Sequence, residues 1–456
     1  MSSYFIGPLL FGLCIAGLEE IIGFAPSVAI GTFLWMITWW IVRPVEIYIT
    51  ALLPILVNAL FPVVDMSALL AQYASETVAL VFAANLVCLS WTYTGLDKRI
   101  ALRVLCIVGT SLRQQICVWM LLSALLSAIL PNAVVAAITI PIAVSMLQFA
   151  GEGELSSSRV SSFILLAVSW GISIGAAATP LGGAMNLVAL TYIDAYLGRS
   201  VSYIEWMSKM IPYTTLLLII VLACLLLNPQ TNRRIQITKA YFKKKYRGLG
   251  RWRRGEFLSL GLFLVAATLS MFNSWVTKAI PGLKPAYCFM MFGILSFCIV
   301  DETKKPLMTW KYANSGMMWG MLLLFGGSLA LGKLMSESGT SELLGNWIAG
   351  IGIQSKFAII AVLAFSACLL AEVTNSTTAA AVVVPVAISL AQRMNKDPIP
   401  LIYIVAMSFN SSYILPVSFR AIPVSYGMNQ RDLSRYGMLA AVSCYTAIVA
   451  FGWLLF

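Results

Sequence analysis

Histidine is absent from this chain, and charged residues make up only 11% of its 456 positions, less than half the ~25% of a typical soluble domain. Without imidazole, histidine-based intramembrane hydrolysis is excluded. No GxxxxGK[ST] loop is present to cradle nucleotide phosphates, which removes ATP-driven pumping within the chain. There is no carboxylate-rich cluster for a catalytic metal, and no nucleophile and base stand out as a pair. The nine cysteines lie mostly in apolar segments with no CxxC spacing, so they imply neither a disulfide framework nor a zinc site. Neither an enzyme nor a bound cofactor is expected, and sodium is left open only as an ion to be carried.

What fills the chain instead is hydrophobic, 60% of all residues. Apolar runs recur from LLFGLCIAGL (9–18) to AVSCYTAIVAFGWLLF (441–456), and roughly 20 such residues cross the hydrocarbon of a bilayer. The chain reads as an all-α polytopic membrane protein without a soluble domain. Its start, MSSYFIGPLLFGL, has no positively charged n-region and no small-residue cleavage site, so it reads as a first spanning helix and not as a removed signal peptide. The net charge of +12 is concentrated: ten basic residues fall between Arg233 and Arg254. That stretch reads as a cytoplasmic loop beside anionic lipid, not as a nucleic-acid surface.

Eleven spans are expected near 5–22, 26–42, 45–64, 76–95, 160–192, 211–228, 257–275, 285–300, 315–333, 400–427 and 435–456. Two longer stretches, 115–149 and 356–393, are interrupted at mid-length by LPNAV (130–134) and TNSTT (374–378). Each reads as a re-entrant hairpin, because irregular backbone at membrane depth is tolerated only where protein or a water-filled cavity surrounds it. The loops on the side of the basic segment collect most of the lysines and arginines, which puts the N-terminus in the cytoplasm and the C-terminus outside an inner cell membrane.

The pattern also repeats. LPNAVVAAITIPIAVSML (130–147) and VTNSTTAAAVVVPVAISL (373–390) share an asparagine at the tip, a small-residue run and a proline. A broken helix follows each, in ISIGAAATPLGGAMNLVAL (172–190) and AMSFNSSYILPVSFRAIPV (406–424). Inverted repeats with broken helices point to a secondary transporter with its site near the midplane. Helix ends at the tips and breaks expose unpaired N–H groups and a partial positive charge, which suit an anion. The candidate anion site comprises Asn132 and Ala133 at the first tip and Thr179 and Pro180 at the first break. Asn375, Ser376 and Thr377 at the second tip and Pro416 and Arg420 at the second break complete it. A cation would draw on Ser127, Asn132, Gly182, Asn375 and Glu372. Arg420 is the sharpest single feature, since an arginine within a spanning segment is costly and functional by default. Glu372 is the candidate partner, with helix capping and proton binding as its alternative roles.

RPVEIYITALLPILVNALFPVVD (43–65), GLDKRIALRVLCIVGTS (95–111), ATPLGGAMNL (178–187) and LPVSFRAIPVSYG (415–427), with the two asparagine-tipped hairpins between them, resemble the divalent anion:sodium symporters of the ion-transporter superfamily. The resemblance covers nearly the whole chain. It implies an elevator transporter, a homodimer, that carries a small carboxylate such as succinate, malate, 2-oxoglutarate or citrate. It implies a scaffold over 1–114 and 257–355, transport segments over 115–228 and 356–456, and the basic loop over 229–256.

The chain departs from the family's pattern. Pro131, Asn132 and Ala133 stand where the first Ser-Asn-Thr would be, and Phe419, Arg420 and Ala421 where Thr-Pro-Pro often follows the second break. The second motif aligns as Thr374, Asn375 and Ser376 on its asparagine, or as Asn375, Ser376 and Thr377 on the downstream proline. A first tip without hydroxyls is a poor sodium ligand, while a fixed guanidinium balances a carboxylate. The expectation is therefore sodium-independent anion exchange. The alternatives are a sodium-coupled dicarboxylate symporter, a transporter of an inorganic oxyanion such as sulfate, or an anion channel.

Overall fold

The structure is a computed structural model that describes every residue except 1, 43, 107–108, 110, 151–154, 199–200, 236–238, 303, 318, 351–354, 395, 418–419 and 456. Among the described residues, eight helices are long and apolar enough to cross a membrane, accompanied by shorter apolar helices of 10–17 residues. The chain is an all-α polytopic membrane protein. Ser2–Ile22 and Phe24–Val42 form a first packed pair. The span expected at 45–64 is not one helix but two pieces, Ile47–Thr50 and Leu53–Leu60, with Pro54 in the first turn of the second. Proline has no N–H to donate and fits only the opening of a helix, so the helix restarts there.

From Glu76 onward the two halves run in the same order. The first has a long helix, Glu76–Thr94, and a short one, Leu96–Leu105, then the hairpin Leu112–Ser127 and Asn132–Phe149. The broken helix Arg159–Ala176 and Ala184–Leu197 follows, and Tyr203–Leu226 closes the half. The second has Trp319–Glu337 and Thr340–Gly350, then the hairpin Lys356–Val373 and Ser376–Arg393. Ile399–Phe409 and Ala421–Ser425 flank its break, and Gln430–Leu455 closes it. Thr340–Gly350, which the hydropathy pattern leaves as a loop, is the counterpart of the short helix Leu96–Leu105 ahead of the first hairpin.

The hairpins and broken helices make the densest part of the molecule. Arg159–Ala176 is 94% buried, and every residue of Ile399–Phe409 from Leu401 on is buried. Two glycines let the first hairpin reach it: a Cβ on Gly171 would lie 2.5 Å from the Met120 carbonyl oxygen, and one on Gly175 2.2 Å from that of Ala124. This is the small-residue spacing by which membrane helices bring their backbones together.

On the face that carries the basic loop, Arg99 is the fixed point. Gly95, at φ +82°, ends Glu76–Thr94 in the left-handed region and turns the chain into Leu96–Leu105. Arg99, 1% exposed, then donates from Nε to Glu256 Oε1 at 2.8 Å. Its Nη atoms reach the carbonyls of Gly250, Leu249 and Arg251. Its guanidinium also lies 5.2 Å from the Trp252 ring. One buried charge thus ties the helix ahead of the first hairpin to the basic loop and to the start of Arg254–Met271. Removing one partner of such a pair costs about 3–5 kcal/mol. Glu256→Ala is therefore expected to lower the melting temperature of the detergent-purified protein clearly, and an unchanged melting curve would show that the pair is dispensable.

Candidate functional site

Each break leaves backbone groups with no helical partner, and these must be satisfied inside the protein. At the first break, residues 177–183, neutral side chains meet the demand. Asn186 Nδ2 donates to the carbonyls of Ala176 at 2.8 Å and Thr179 at 2.9 Å. Trp206 Nε1 donates to Ala177 O at 3.1 Å. The Thr179 hydroxyl accepts from Gly182 N at 3.1 Å and donates to Ala128 O at the first hairpin tip. At the second break, residues 410–420, charges do the same task. Glu372 accepts from the backbone N–H groups of Tyr413 and Ile414, each at 2.8 Å, and of Leu415. Arg420 donates to the carbonyls of Leu415 at 3.0 Å and Ser412 at 2.9 Å. The Glu372 and Arg420 side chains are 10% and 3% exposed, and Arg420 Nη2 lies 3.8 Å from Glu372 Oε1. Trp170 Nε1 donates to Tyr413 O and the Ser434 hydroxyl to Ile414 O.

Between these breaks and the long helices Glu76–Thr94 and Trp319–Glu337 lies a cavity of about 80 Å³, room for several waters at ~10–15 Å³ each. Asn132, Asn375, Ser376, Thr377 and Arg420 all line it. So do Gly183 and Ala184, which begin Ala184–Leu197. Three helix N-termini therefore face one space, at Asn132, Ala184 and Ser376. Each presents unpaired N–H groups and a partial positive charge. Thr179, Pro180 and Pro416 do not line the cavity. Ala133 lies in the helix at the first tip, but its side chain, like all of Phe419, is outside the described residues.

The first tip is not bare of hydroxyls. Ser127, the last residue of the hairpin's first arm, has its hydroxyl within hydrogen-bond distance of two acceptors, Ile172 O at 2.9 Å and Asn132 Oδ1 at 3.0 Å, for its one proton. Gly182 packs against the ends of two helices: a Cβ there would fall 2.3 Å from Ala176 O and 2.8 Å from Ser127 O. The carbonyl oxygens of Ser127 and Ala176, at the C-terminal ends of Leu112–Ser127 and Arg159–Ala176, thus lie together beside Gly182. Helix C-termini and unwound carbonyls of this kind suit a small monovalent cation. Around Glu372 the arrangement differs, because its carboxylate oxygens face backbone N–H groups and Arg420.

Three polar residues escaped the sequence reading. Asn410 Nδ2 donates to Asn186 Oδ1 at 3.1 Å, so the two broken helices are joined directly at their breaks. Both asparagines sit inside the repeated segments but at different positions within them, so the repeat does not raise them. Asn85, 2% exposed on Glu76–Thr94, lines the cavity from the opposite wall, and nothing in its local sequence marks it.

The family model for the sodium:sulfate symporter transmembrane region matches residues 16–456. The sodium-dependent dicarboxylate transporter SdcS of Staphylococcus saprophyticus is 26% identical over 450 residues, spanning 94% of this chain and 86% of that protein. SdcS of Staphylococcus aureus strain NCTC 8325 is 24% identical over 462 residues, spanning 98% and 88%. Among solved structures, the Alcanivorax borkumensis YdaH transporter shares the fold at a TM-score of 0.50 and 14% identity, over 87% of this chain and 88% of that one. The chain is a multi-pass membrane protein and belongs to the sodium:sulfate symporter transmembrane-region family.

Proposed function

We propose that the protein is a sodium-coupled transporter of small dicarboxylates, and that the cavity between the two hairpin tips holds the substrate. The observation that carries this reading is the pairing of Arg420 with Glu372. The guanidinium that would have balanced a substrate carboxylate is already balanced, so the two side chains together add no net charge to the site. A dianion placed there still needs positive charge, and helix N-termini supply only fractions of one. Co-transported cations at the oxygen cluster around Gly182 complete the balance. Sodium-independent exchange requires a guanidinium free to balance a substrate carboxylate and a first tip without hydroxyls. Arg420 has a carboxylate partner and Ser127 brings a hydroxyl to the tip, and the sodium-dependent relatives favour symport in its place. In this reading the hairpins and broken helices move as one body against the flanking helices, in a homodimer whose N-terminus is cytoplasmic.

Uptake of labelled succinate into proteoliposomes should rise severalfold under an inward sodium gradient over an equal potassium gradient. Equal uptake in both would contradict sodium coupling, and transport of sulfate without succinate would shift the substrate to an inorganic oxyanion. Gly182→Ala drives a methyl group into two carbonyls and should raise the sodium concentration for half-maximal uptake at least tenfold. Its effect at saturating sodium should be smaller. Glu372→Gln leaves Arg420 buried without a counter-charge and should abolish most uptake. The double change with Arg420→Gln should melt at a higher temperature than the Glu372→Gln single variant, because residues in one ion pair are not additive.

A further inference from the structure

A second cavity, about 310 Å³, lies on the face of the molecule opposite the basic loop. Glu76–Thr94 ends on the loop's face beside Arg99, so Glu76 marks its far end. Arg254–Met271 starts at the loop and leads to Lys284 on that far side. One wall of the cavity carries Glu76 and Lys284, joined at 3.0 and 3.1 Å. The other carries Thr191 and Asp194, from Ala184–Leu197. Two residues line both this cavity and the central one: Leu80 from Glu76–Thr94 and Leu187 from Ala184–Leu197. They are 5% and 7% exposed.

We infer that this outer cavity is the vestibule through which substrate reaches the central site from that face, and that Leu80 and Leu187 form the gate between them. The inference rests on the transport reading above. A partition whose residues face both spaces is one side chain thick, and here its halves come from different elements. Leu80 belongs to a flanking helix, while Leu187 follows directly on the helix N-terminus at Ala184 that faces the site. Displacement of the broken helix against the flanking helix slides one leucine past the other and opens the passage. No new cavity has to be created. The apolar pair suits a closed gate, because a hydrated dianion does not pass a dry constriction of leucine side chains.

The test uses Thr191→Cys in proteoliposomes, with the wild-type chain and its nine native cysteines as control, and a membrane-impermeant cationic methanethiosulfonate reagent added from the vestibule's face. The variant should react and lose at least tenfold of its succinate uptake, while the wild type keeps its uptake. Complete labelling, verified by mass, with uptake unchanged would overturn the route, as would a residue that never reacts. Leu187→Ala thins the partition and should raise downhill succinate leak in sodium-free buffer severalfold; a leak equal to that of the wild type would overturn the gate. If neither the wild type nor unlabelled Thr191→Cys carries succinate, the transport reading has failed, and the labelling rate still decides whether the vestibule holds water.

Discussion

Backbone amides and carbonyls released from a helix inside a membrane have no water to turn to, and each one left alone costs several kcal/mol. Most of the distinctive side chains of this protein stand where that demand arises. Asn186, Trp206 and Thr179 answer it at the first break, and Glu372, Arg420 and Trp170 at the second. The Asn186 to Asn410 bond then fixes the breaks to each other. What this network leaves over is what faces the cavity: three helix N-termini, with Arg420 beside them.

The two halves share an order of elements but solve the same problem with different chemistry, and this bears on function. At the first break neutral donors, Asn186, Trp206 and Thr179, occupy the freed carbonyls, so no fixed charge is built into it. At the second break a carboxylate and a guanidinium lock the backbone between them. Arg420 looks in isolation like a substrate anchor. With two carbonyls and Glu372 around it, it acts first as a structural group that keeps the unwound segment in place while still lining the cavity. In the proposed symport, charge balance for a dicarboxylate falls to ions that travel with it.

Much of this was legible in the sequence. Hairpins broken at LPNAV and TNSTT, and prolines within apolar segments, are local signals of backbone that cannot continue as helix, and the structure places its tips and breaks there. Asn132, Asn375, Ser376 and Thr377, named from the repeat and from the helix ends at the tips, line the central cavity. Other features were not legible, because they depend on contacts far apart in the chain. Pairing Ser127 with Asn132 requires the two arms of a hairpin to be in register, and Asn85 faces the site only through the packing of a flanking helix. The balance of charge at Arg420 depends on a carboxylate 48 positions away, whose oxygens meet three consecutive amides. Composition and spacing name both residues, but only their geometry shows that they cancel.

In the proposed symport the site itself adds no net charge, and cations accompany the dianion. The most direct measurement is the reversal condition for succinate flux in proteoliposomes, taken as the sodium gradient is varied against a fixed succinate gradient. The balance point should move with the sodium gradient at a ratio of at least two sodium ions per succinate. A balance point independent of sodium would contradict it.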